Sequence, residues 1–94
     1  MIAYSIKHHV PGRIRIEIPW FKKMTLDELT RLADVMTRVW RVEGIRDFGA
    51  NPITGSVTIR YDPAAIDITA YLNDMAADER MNKFMEKGVF YEML

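Results

Sequence analysis

The sequence predicts an α+β sandwich in which an antiparallel sheet carries two helices on one face. Three observations lead there. Arg13-Ile14-Arg15-Ile16-Glu17-Ile18 and Ser56-Val57-Thr58-Ile59-Arg60-Tyr61 alternate polar with apolar residues at a period of two, as strands buried on one side do. Between them Leu26, Leu29, Leu32, Ala33, Met36, Val39 and Trp40 recur at spacings of three and four, which makes an apolar helical stripe. After the second strand Ile68, Tyr71, Leu72 and Met75 repeat the helical spacing.

In chain order, His8-His9-Val10-Pro11-Gly12 leads into the first strand, with Pro-Gly as a break. Thr25-Leu26-Asp27-Glu28 sets a hydroxyl before the first helix and a carboxylate three residues on, so that each can satisfy a backbone amide of the other, a capping box. Gly44 is expected to stop this helix by allowing a left-handed residue. Ile45 to Ala50 forms a weaker strand, with Phe48 and Ala50 on one face. Asn51-Pro52-Ile53-Thr54-Gly55 has the turn chemistry to fold it back onto Ser56 to Tyr61 as a hairpin. Asp62-Pro63 ends that strand, and Asp67 is placed to cap the second helix. Strand, helix, strand, strand, helix, with a right-handed crossover, is the order of a ferredoxin-like sandwich: βαββα with an additional terminal strand. Ile2 to His8 and Val89 to Leu94 are both candidates for that strand. Met81, Phe84 and Met85 suggest a short helix before Gly88, and pattern alone does not place residues 79–94. The chain, 1–94, reads as one domain, because a chain of this size buries roughly 60 to 70 % of its unfolded surface around a modest core.

Composition narrows the function. There is no cysteine, which excludes disulfides and thiolate metal sites and leaves His, Met and carboxylates as ligands. Thirteen Lys and Arg balance thirteen Asp and Glu, so attraction for an anionic partner has to come from a local patch. No apolar run approaches the ~20 residues of a membrane span. The opening residues do not read as a secretion signal, and cytoplasmic residence is the expectation. No enzymatic activity is expected: PITGS lacks the spaced glycines and Lys-Ser/Thr end of a phosphate loop, and no serine, histidine and carboxylate set stands out. Met36, Met75, Met81 and Met85 fall on apolar helix faces, where methionine fills core gaps.

Two groups of residues remain as candidates for a site. His8 and His9 are the only histidines, and imidazole ligates both borderline metals and haem iron. Neighbours on a strand point to opposite faces, so one ion takes both only if the chain bends at Val10-Pro11-Gly12. Further imidazoles would come from a homodimer, or one histidine would serve a haem axially. The plain alternative is that the pair only leads into a strand. The second group is cationic. With Ile14, Ile16 and Ile18 turned to the helices, Arg13, Arg15 and Glu17 lie on the open sheet face, and Thr58 and Arg60 are expected beside them. Arg13, Arg15 and Arg60 then form a patch able to hold carboxylates or phosphates through paired hydrogen bonds, or else a solvated face balanced by Glu17. Nucleic acid is not expected, because this face offers no aromatic rings for stacking. Val89-Phe90-Tyr91-Glu92-Met93-Leu94 either pairs within the sheet or forms a tail for a partner protein or a membrane surface.

HHVPGRIRIEIP, a leucine-rich helix followed by VEGI, and ANPITGSVTIRYDP together resemble the cysteine-free branch of the heavy-metal-associated domain family. Such domains occur at the N-termini of heavy-metal-transporting P-type ATPases and as small separate proteins. The resemblance covers roughly residues 4 to 78. It implies a ferredoxin-like fold and metal handling beside a P-type transporter or in an iron-handling assembly. The better-known branch carries Cys-x-x-Cys on the loop after the first strand. The matching loop here, Pro19-Trp20-Phe21-Lys22-Lys23-Met24-Thr25, has no thiol, two ammonium groups and one thioether. Soft-metal transfer by thiolate exchange therefore does not carry over, and iron or haem is preferred over copper as cargo. The expectation is a small non-enzymatic domain with His8 and His9 as ligands and Arg13, Arg15 and Arg60 as anion or partner contacts. The alternative is a metal-free module for protein–protein interaction or homo-oligomerisation, acting through the open sheet face and the C-terminal tail.

Overall fold

A computed structural model describes residues 2–51, 53–79 and 82. Strands β1 (Ser5–Val10), β2 (Arg13–Glu17), β3 (Ile45–Asn51) and β4 (Ser56–Tyr61) form one antiparallel sheet in the order β1-β2-β4-β3. Helix α1 (Leu26–Val39) connects β2 to its parallel neighbour but one, β3, and α2 (Ile68–Ala77) follows β4. This is the expected ferredoxin-like α+β sandwich. Its additional strand is β1, supplied by the N-terminal segment. The alternative strand at Val89 to Leu94 and the helix suggested around Met81 and Met85 lie outside the described residues.

Alternation decides which face is covered. Ile14, Ile16, Val57, Ile59 and Tyr61 are buried with Leu29, Leu32 and Met36 of α1 and with Ile68, Tyr71, Leu72 and Met75 of α2. The register sets Arg13 beside Arg60 and Arg15 beside Thr58, on the side that no helix covers. Methionine acts as core filler at Met36 and Met75, as the periodicity indicated.

The caps follow the local sequence. Thr25 accepts from the Glu28 amide at 3.2 Å while the Glu28 carboxylate accepts from the Thr25 amide at 3.0 Å, which completes the capping box. Asp67 accepts from the amides of Thr69 and Ala70 at the start of α2. Three expectations need correcting. Ala33, read on the buried stripe of α1, is exposed. Leu26 is not on the buried stripe but 73 % exposed, because as the first residue of α1 it precedes the turn that meets the sheet. Gly44 does not end α1, which stops at Val39 with Trp40 as its cap. Gly44 instead has φ +96° in the following loop, where its carbonyl accepts from the Asp62 amide at 2.7 Å and an added Cβ would meet Ile66.

Candidate functional site

The histidines sit on β1, an edge strand, beside a two-residue connection to β2 in which Val10 pairs with Arg13. Pro11 at its first central position and Gly12 with φ +87° at the second are what a type II turn requires. The Gly12 carbonyl accepts from the Tyr61 amide at 3.0 Å and fixes the hairpin to the end of β4.

Counting back from this turn, His9 pairs with Ile14 and His8 with Arg15. The two imidazoles therefore lie on opposite faces of the sheet. The Nε2 atom of His9 and the Tyr61 hydroxyl are 2.6 Å apart, with the donor set by the imidazole tautomer. That bond occupies one of the two ring nitrogens. The chain does not bend at Val10-Pro11-Gly12 so as to unite the pair, and among the described residues no three His, Asp or Glu side chains are grouped to hold a metal. A closed coordination shell from one copy of the chain does not fit these residues.

His8 has different company. It lines a shallow recess on the open face with Arg13, Arg15 and Thr58. Arg15 stands between His8 on β1 and Thr58 on β4, and Arg13 stands beside Arg60. Among the described residues, ion pairs join Asp27 to Arg31 and Asp34 to Arg38 on α1, and none involves Arg13, Arg15 or Arg60. These guanidinium groups are exposed, so their donors are available to an incoming carboxylate or phosphate. The sequence reading named five site residues, of which the structure brings four, His8, Arg13, Arg15 and Arg60, to one face and places His9 on the other.

It missed Arg46. A broader recess at the Pro11-Gly12 end is lined by Arg13, Arg46, Asp47, Arg60 and Tyr61, which extends the cationic band from β2 across to β3. The β3 register shifts between Ile45 and Asp47, and that irregularity places Arg46. Alternation in Ile45-Arg46-Asp47-Phe48 gives no sign of it.

The loop that would carry thiols in the better-known branch is a short turn here. Pro19–Lys23 forms a 3-10 turn that buries Phe21 in the core beneath it. Met24 packs against the same core.

A family model described as heavy metal associated domain 2 matches residues 3–76. No curated protein and no solved structure matches the chain. The matched span takes in all four strands, α1, the His8 recess and all but the last residue of α2. Over that span the strand and helix order, the buried face and the VPGRIR hairpin form one unit, and the chain belongs to the heavy metal associated domain 2 family.

Proposed function

We propose that this protein is a non-enzymatic module that handles iron, as haem or another carboxylate-bearing complex, with His8 as the ligand and Arg13, Arg15 and Arg60 as the anion contacts. Family membership supports metal handling as the coarse function. The observation that carries the finer reading is the shared recess of His8, Arg13, Arg15 and Thr58. One imidazole among guanidinium groups suits cargo that needs a single protein ligand and brings its own negative charge. Haem is such cargo, since its iron takes an axial imidazole and its propionates pair with arginine. His8 would bind the iron, Arg13 and Arg15 would orient the carboxylates, and the exposed face would let the cargo leave to a P-type transporter or an iron-handling assembly.

The test is a titration of the metal-free protein with ferrous iron, zinc, copper and haem, in wild type, His8→Ala and His9→Ala. Stoichiometric uptake of haem, with a Soret band lost in His8→Ala and kept in His9→Ala, is the expected result. Full occupancy in His8→Ala would remove the ligand assignment. A second reading, association of the protein with copies of itself through the open face, is favoured by the arginines that make no ion pair among the described residues.

A further inference from the structure

The end of the molecule opposite the Pro11-Gly12 turn carries a feature that neither the metal role nor the fold uses. There β2 leaves the sheet at Glu17, beside Ser56 at the start of β4. The Ile18 amide donates to the Gly55 carbonyl at 2.8 Å. The 3-10 turn, the β3–β4 tip and the start of α1 are thereby brought to one end. Lys22 lies against Gly55, so close that a Cβ there would sit 3.0 Å from the lysine Cγ. Three large apolar side chains at this end face water: Ile53 at 87 %, Leu26 at 73 % and Trp20 at 42 % exposure. Lys22 and Lys23 are exposed with them, and the Lys23 ammonium stands 5.3 Å from the Trp20 ring centroid.

The tip is preformed. The Asn51 side chain accepts from the Ile53 amide at 3.0 Å, the hydroxyls of Thr54 and Ser56 are 2.6 Å apart, and Gly55 takes φ +67°. The nearby acids are accounted for. Asp27 pairs with Arg31, Glu28 serves the capping box, and Glu17 is half-buried on the sheet. Asp78 and Glu79 follow α2, whose Ala76 carbonyl accepts from the Ile2 amide.

We propose that this end docks on an anionic lipid bilayer, with Ile53, Leu26 and Trp20 entering the boundary between headgroups and acyl chains and Lys22 and Lys23 contacting the headgroups. Exposed apolar side chains carried on separate turns need no matching groove when the partner is a bilayer. An indole with an ammonium over its face suits the interface, and lysine keeps its hydrated charge at headgroup level while its stem lies along apolar surface. No helix among the described residues is long and apolar enough to cross a membrane, and the contact proposed is a peripheral one. Flotation of the full chain with vesicles tests it. Binding is expected with vesicles containing phosphatidylserine and much less with phosphatidylcholine alone. Ile53→Ser should lower the partition constant about tenfold, and Lys22→Gln and Lys23→Gln about fivefold each. These side chains are exposed, so unchanged thermal unfolding controls for the fold. Failure of the wild type to bind phosphatidylserine vesicles overturns the proposal. So does binding that all three variants retain in full, which would assign the contact to another part of the chain.

Discussion

Tyr71 links α2 to the end of α1, its hydroxyl donating to the Trp40 carbonyl at 2.8 Å. Its ring meets Trp40 edge-on at a centroid distance of 5.6 Å. Burial pushes the phenol well above its ordinary value of 10.0, because the phenolate would lose its water. The unfolded chain ionises near that ordinary value, so the stability held by neutral Tyr71 is complete below it and is lost as pH rises toward the folded value. Tyr71→Phe should cost about 1 kcal/mol at neutral pH through the lost bond, and should flatten the fall of melting temperature in alkali. Parallel pH profiles for the two proteins would show that another group controls alkaline unfolding. The roles of His8 and His9 were less legible than the burial of Tyr71. Alternation says that the two point apart but not which one meets the arginines. The two-residue turn decides that, and reading Pro11-Gly12 as a hairpin turn instead of a break would have paired His8 with Arg15 in advance.

At the scale of elements, strong periodicity locates the strands and helices, because each pattern is enforced by burial on one face. The loops are less legible, because their conformation depends on what approaches them in space. Gly44 and Gly49 illustrate the difference. At Gly44, with φ +96°, an added Cβ would lie 3.0 Å from Ile66, a close approach between a loop and the segment before α2. At Gly49, in mid-strand, an added Cβ meets nothing within 4 Å. Gly44→Ala should destabilise by about 1–3 kcal/mol from backbone strain and crowding. Gly49→Ala should be neutral or stabilising by up to about 1 kcal/mol, because alanine loses less backbone freedom on folding. Chemical denaturation of both variants measures this, and equal effects would mean that the loop at Gly44 yields. The bulge in β1 between Ile6 and His8 belongs to the same scale. It lets Ile6 pair with Ile16 although the turn has already fixed the histidines, and with Lys7 it makes this edge a poor template for another strand.

For the whole molecule, a net charge of zero conceals a separation of charge. Arg13, Arg15, Arg46 and Arg60 form the cationic band of the sheet. From Tyr61 to Glu79 the sequence has Asp62, Asp67, Asp74, Asp78 and Glu79 and no lysine or arginine. The segment that contains α2 is therefore acidic, and one molecule carries both a cationic band and an acidic segment able to complement it. Such surfaces associate head to tail, with a strength that falls as salt shortens the Debye length from about 30 Å at 0.01 M to about 8 Å at 0.15 M. If the open face serves self-association, sedimentation at low ionic strength should show species larger than one chain that disperse as salt is added. Arg15→Glu with Arg60→Glu should abolish them, because like charge then faces the acidic segment of the next molecule. Anionic cargo on the same arginines should compete, so added haem should disperse the assembly in wild type and in His9→Ala. Association that resists both salt and the double substitution would have to run through apolar contacts instead. The open face would then be left to cargo alone.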